Sequence, residues 1–97
     1  MELVLSDEVL ELLVQWQSDR SMHKVMKAIE KTLKLIETNL RHPSLNTHKF
    51  KSLKGPHGEE VFEAYAQQKT PGAYRIFFYY GPNRNQISIV HIMAHPD

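Results

Sequence analysis

Between Val9 and Leu40 the apolar residues recur at the period of a helix. Val9, Leu12, Leu13 and Trp16 form one stripe, which predicts a helix of about 11 residues. Ser6 offers a hydroxyl cap before it, and Asp7 and Glu8 set negative charge against the positive end of the helix dipole. Ser18-Asp19-Arg20-Ser21 is polar and breaks the pattern. From Met22 a second stripe, Met22, Val25, Ile29, Leu33, Ile36 and Leu40, advances in steps of 3, 4, 4, 3 and 4. Lys24, Lys27, Lys31 and Lys34 lie mostly off that stripe, as a solvated face requires. The short link predicts antiparallel neighbours whose facing stripes are core, with no chemistry of their own. Asn39 and Pro43 end the second helix, since proline has no N–H with which to continue it.

The period then changes to two. Leu3-Val4-Leu5 is too short to classify and reads as a short edge strand or a lead-in. Thr47 to Leu53 reads as an edge strand with Lys49 and Lys51 on one side and His48 and Phe50 on the other. Phe50, as the apolar member, is expected to face the core and the lysines to face away. Gly55-Pro56-His57-Gly58 is a turn signal. Glu60 to Gln67 alternates, with Phe62, Ala64 and Ala66 opposite Val61, Glu63 and Tyr65. After a turn at Lys69-Thr70-Pro71-Gly72, Ala73 to Tyr80 places Tyr74, Ile76, Phe78 and Tyr80 opposite Arg75, Phe77 and Tyr79. A turn at 81–85 leads to a last strand, Ile87 to His95. Short turns between such segments make an antiparallel meander. The expected fold is α+β: two antiparallel N-terminal helices packed on a three- to four-stranded antiparallel sheet, in one domain over residues 1–97. One sheet face packs on the helices; the other is left for solvent or a ligand.

Composition narrows the picture. The 97 residues include no cysteine, which removes disulfides and thiolate zinc sites. No apolar run approaches the roughly 20 residues of a membrane span, and Met1 to Glu8 lacks the basic start of a signal peptide. The cytoplasm is the default location, with no membrane partner. Net charge is +1, but no acidic residue occurs between Glu37 and Glu59, an interval holding Arg41, Lys49, Lys51 and Lys54 with His42, His48 and His57. Such a segment is either a solvated connector or a surface that meets phosphates or a carboxylate-rich partner.

The run Asn39 to Gly55, Asn-Leu-Arg-His-Pro-Ser-Leu-Asn-Thr-His-Lys-Phe-Lys-Ser-Leu-Lys-Gly, resembles a recurring stretch of the RelE/ParE toxin superfamily. There a helix ends near a proline, a lysine-bearing strand follows, and a leucine–lysine–glycine turn closes it. Pro71-Gly72-Ala73-Tyr74-Arg75-Ile76 resembles the superfamily's glycine-x-tyrosine-arginine strand, and Ile87 to His95 its last core strand. The resemblance implies a RelE-like fold and a toxin held inactive by a cognate antitoxin. It implies either metal-free cleavage of messenger RNA on the ribosome, or inhibition of DNA gyrase by a non-catalytic relative. It implies no cofactor. Carried over by motif, Lys49, Lys51 and Lys54 match the basic strand and turn, Arg75 the tyrosine-arginine motif, and His95 the terminal site. Two departures stand out. Glu63 and Tyr65 occupy the strand where an arginine is common, and Pro96 and Asp97 follow His95 where many members carry a tyrosine.

Metal-free RNA cleavage requires a group to deprotonate the 2′-hydroxyl, positive charge on the phosphate, and a donor for the leaving oxygen. Arg75 and Lys51 are the phosphate candidates, Lys49 and Lys54 steer, and His95 or Glu63 transfers protons. For each there is a plainer reading: Arg75 as a structural partner of Glu63, the lysines as edge-strand protection, and His95 as an exposed terminal residue. His91 and His95 lie four apart on a strand, roughly 13 Å at about 3.3 Å per residue, too far to share a metal ion. Tyr65, Phe77 and Tyr79, on the face away from the helices, are expected either to stack on bases or to be covered by an antitoxin segment or by the second subunit of a homodimer.

Overall fold

The structure, a computed structural model, describes residues 1–68 and 72–94. Ser6 caps the first helix, α1 (Asp7–Gln17), by accepting the Val9 N–H on its hydroxyl at 3.2 Å. Asp19 caps a single 3-10 turn, Arg20–Met22, which leads into α2 (His23–Thr38). On α2 the predicted stripe faces inward, with Ile29 and Ile36 fully buried and its lysines exposed. Beyond Asn39, Pro43 opens a second 3-10 turn, Pro43–Leu45, and Leu45 is driven into the core.

Among the described residues five strands form one mixed sheet: β1 (Glu2–Leu5), β2 (His48–Lys54), β3 (Glu60–Tyr65), β4 (Tyr74–Tyr80) and β5 (Gln86–Ala94). Their order is β1-β5-β4-β3-β2, antiparallel from β2 to β5 but parallel between β1 and β5. This corrects the expected three- to four-stranded antiparallel sheet with helices at the N-terminus. Leu3-Val4-Leu5 is an edge strand that precedes both helices and pairs, through Leu3↔Ile87 and Leu5↔Ile89, with the end of the chain. Its backbone groups are satisfied by a partner more than 80 residues away, a pairing that no local period can announce.

One face of the sheet carries the core. Ala64, Ile76, Phe78, Ile87, Ile89 and Ile92 pack with Val9, Ile29, Ile36 and Leu45. Tyr74 meets Trp16 of α1 edge-on at 5.3 Å, a contact worth about 0.5–1.5 kcal/mol beyond its burial. Strict alternation from Ile87 would have put His91 on this face. A bulge intervenes: Phe78 pairs with Ile89 and Phe77 with His91, so Val90 is extra. The bulge turns His91 out and Ile92 in, and Nδ1 of His91 contacts Glu8 at the start of α1.

The β2–β3 turn shows why its glycines are there. A Cβ on Gly55 would lie 2.4 Å from the Glu59 carboxylate, and Gly58 has φ +85°. Glu59 accepts the His57 N–H at 2.8 Å. Hydrogen bonds from its own backbone N–H and from that of His57 hold its carboxyl below the ordinary glutamate range. No helix among the described residues is long and apolar enough to cross a membrane.

Candidate functional site

The face of the sheet away from the helices is not open in the way alternation suggests. Phe77 is 3% exposed and Tyr79 7%. Phe50 of β2 covers Phe77, ring edge to ring face, at 4.9 Å. This reverses the expected facing of the edge strand. His48 pairs with Glu63 and Lys49 with Phe62, so Lys49 lies on the helix side and Phe50 on the far side. The far face offered Phe50 an aromatic partner, and the register follows from that pairing. Phe77 and Tyr79 are therefore covered within the chain and Tyr65 is half-buried, so the three do not form a free stacking platform.

On this far face Glu63, Arg75, Tyr65 and His48 come together. Glu63 and Arg75 stand on neighbouring strands as diagonal neighbours on one face, two residues from being directly opposite: Glu63 faces Phe77, and Tyr65 faces Arg75. Arg75 Nε lies 3.5 Å from Glu63 Oε1, with side chains only 10% and 3% exposed. The guanidinium lies on the Tyr65 ring, 3.7 Å from its centroid. Arg75 Nη1 donates to the carbonyls of Gln67 at 3.0 Å, Ala73 at 3.3 Å and Tyr74 at 3.5 Å. Arg75 Nε is buried without a hydrogen-bond partner among the described residues. His48 Nε2 approaches the same Glu63 oxygen at 3.4 Å, while its Nδ1 lies 2.8 Å from the Asn46 carbonyl. The His48 ring also meets Tyr65 edge-on at 5.8 Å. One buried carboxylate oxygen thus faces a guanidinium and an imidazole.

The lysines follow His48 along β2. The register of β2 shifts between Lys49 and Lys54. This irregularity brings Lys49, Lys51 and Lys54 around one recess of about 240 Å³ with Phe50, Val61 and Glu60. Lys49 Nζ pairs with Glu60 at 3.1 Å, both side chains more than half exposed, an ion pair worth about 0–1 kcal/mol. The two groups share strand β2, with His48 in one and Lys49 and Lys51 in the other. No hydrogen bond or ion pair among the described residues links the lysines to Glu63 or Arg75 directly. A larger cleft, about 540 Å³, lies at the helix junction around Trp16, Arg20, His23 and Lys27 and holds none of the candidate residues.

Of the residues singled out from sequence, Glu63 and Arg75 are in contact and the three lysines share the adjoining recess. His95 lies outside the described residues. Alternation places His48 only on the Phe50 side of an edge strand and gives it no role. The signal that could have found it is its alignment with Glu63 across β2 and β3, but that register is hidden by the bulge. Among the described residues no three His, Cys, Asp or Glu side chains gather closely enough to hold a metal ion.

A pair of helices between a parallel edge strand and a four-stranded meander is a fold also seen in a toxin of known structure. The solved structure of a YoeB/ParE toxin from Agrobacterium tumefaciens superposes with a TM-score of 0.68 over 99% of this chain and 100% of that one, at 11% sequence identity. No family model matches the sequence, and no curated protein does.

Proposed function

We propose that the chain is the toxin of a toxin–antitoxin pair and cleaves messenger RNA on the ribosome without a metal ion. The observation that carries this reading is the adjacency, along β2, of a buried acid–guanidinium–imidazole cluster and a recess ringed by three lysines. Cleavage by an internal 2′-hydroxyl requires proton transfer next to concentrated positive charge, and the two halves of the arrangement offer one each. Lys51 acts on the phosphate, Lys49 and Lys54 steer the RNA in, and the Glu63 cluster, in which Arg75 holds the carboxylate, handles protons with His95. A cognate antitoxin holds the toxin inactive in the cell.

A second reading has its own support. The Arg75 guanidinium is committed to Glu63, to Tyr65 and to three carbonyls, and is nearly closed off from solvent. An arginine used in this way favours a non-catalytic binding module of the same fold, such as a gyrase inhibitor or an inactive toxin relative. Induced expression in a bacterial host, with growth, translation and supercoiling followed together, separates the two. The first reading expects loss of messenger RNA in cells, and cleavage on programmed ribosomes that persists in EDTA. Arg75→Ala should lower that cleavage by about 10²-fold, with little recovery in Arg75→Lys because a point charge lacks the planar fork. Growth arrest with messenger RNA intact, surviving in an Arg75→Ala, His95→Gln double variant, would overturn it in favour of the second.

A further inference from the structure

We propose that His48 is the general base of this RNA cleavage, with Asn46 and Glu63 as the positioning groups that make it one; the inference rests on the reading above. The loop before β2 is built to hold one carbonyl in place. Pro43 starts a 3-10 turn, and His42 Nδ1 accepts the Ser44 N–H at 3.2 Å. Gln68 donates to the Ser44 carbonyl at 2.6 Å, tying the loop to the segment that follows β3. Asn46 closes the turn in the left-handed region, at φ 46° and ψ 42°, a conformation asparagine tolerates better than most residues. Its carbonyl then meets His48 Nδ1 at 2.8 Å.

A carbonyl oxygen can only accept, so Nδ1 carries the proton and the lone pair of the neutral ring falls on Nε2. At 3.4 Å from Glu63 Oε1, Nε2 is beyond the usual N–H···O length of about 2.7–3.2 Å. It is close enough for the carboxylate to stabilise an imidazolium, yet it is not consumed by a short hydrogen bond. Access makes the same assignment. Glu63 and Arg75 are closed off, whereas the His48 side chain is 48% exposed, so it is the member of the cluster that an RNA backbone can touch.

The step balances without a co-reactant other than water. Nε2 of His48 takes the proton of the 2′-hydroxyl, and the 2′-oxygen attacks the adjacent phosphorus. The bond from phosphorus to the 5′-oxygen breaks, leaving a 2′,3′-cyclic phosphate, and the departing oxygen takes a proton from water. The imidazolium is held by Glu63, which Arg75 keeps in place from the other side, and it returns its proton to solvent. Among the described residues Glu63 from β3 and the Tyr65 ring face the imidazole, and Arg75 from β4 is linked to it through Glu63. Lys49 and Lys51 follow on the same strand.

The test uses the full chain, with programmed ribosomes and a synthetic RNA oligonucleotide as substrates. His48→Gln should lower kcat by about 10²-fold with KM nearly unchanged, and should remove the acid limb of the pH–rate profile. Imidazole added to His48→Gly should restore cleavage by at least about tenfold, which no structural role of the side chain would produce. Glu63→Gln should lower kcat with KM nearly unchanged, because the imidazolium loses its anion. If the unsubstituted chain cleaves but His48→Gln keeps its kcat, or imidazole rescues nothing, the inference falls and the cleavage reading stands. If the chain cleaves neither substrate, the reading falls and takes the inference with it. Nitrogen-15 NMR gives an answer independent of activity: a neutral ring protonated on Nε2 rather than Nδ1 would overturn the assignment of His48.

Discussion

Replacing Glu63 by alanine should cost about 3–5 kcal/mol of stability, because it leaves the Arg75 guanidinium buried without its anion. The magnitude follows from how little the arginine can do in response. Its Nη1 is already bound to three backbone carbonyls, and its Nε faces only Glu63 among the described residues. The Tyr65 ring covers it at 3.7 Å, so neither water nor a rotamer change readily replaces the carboxylate. Glu63→Gln keeps the shape and a polar oxygen and should cost less, about 1–3 kcal/mol. Exchanging both partners for apolar residues, as in Glu63→Leu with Arg75→Met, should recover much of the loss, since a buried pair is costly mainly when half of it is removed. Urea denaturation of the unsubstituted chain, Glu63→Leu, Arg75→Met and the double variant gives the coupling directly. The thermal midpoint of Glu63→Ala should drop by at least about 12 °C, at roughly 4–8 °C per kcal/mol for a domain of this size. An exposed pair is worth about 0–1 kcal/mol. A Glu63→Ala cost within that range would mean that the pair is solvated and that Arg75 stands on an open face, which refutes the geometry on which the site is built.

Phe78→Ala should cost about 3–5 kcal/mol by denaturation, since its ring is fully buried and stacks on Phe62 at 5.8 Å. Phe77→Ala should cost nearly as much, although alternation alone places it on the open side, while Val14→Ala, at a site 69% exposed, should change stability by less than about 0.5 kcal/mol; a Phe77 cost below about 1 kcal/mol would show the far face to be uncovered. Replacing Lys49, Lys51 and Lys54 together by glutamine should weaken RNA binding and reduce its salt slope by about 2, at roughly 0.7 for each single-strand phosphate that a lysine no longer neutralises. An unchanged slope would remove the lysine recess from the RNA path.

The parts of this protein that sequence alone determined are those whose cause is local. The stripe from Met22 to Leu40 specifies α2 because one helix face must be apolar, and Ser6 with Asp7 and Glu8 specifies the start of α1 because helix N-termini need acceptors and negative charge. Tyr74, Ile76 and Phe78 face the helices as alternation requires. The lysine-rich edge and the glycine turn after it were equally legible, since each depends on residues within a few positions of one another. Tertiary structure decided the rest, and in each case the deciding contact is distant. β1 is a strand because β5 offers it a partner, and the sheet is mixed because that partner runs parallel. Val90 is an unpaired bulge that reverses the facing of His91 and Ile92. Phe50 turned to the far face because Phe77 was there to receive it. The site shows the same division. Glu63, Arg75 and the lysines could be named from residue type and motif, but His48 joins them only through the cross-strand register and a carbonyl held by the turn at Asn46. Periodicity reports which side of its own element a residue occupies. Which neighbour waits on that side is set by pairing between elements, where a slip or bulge of one residue exchanges the two faces.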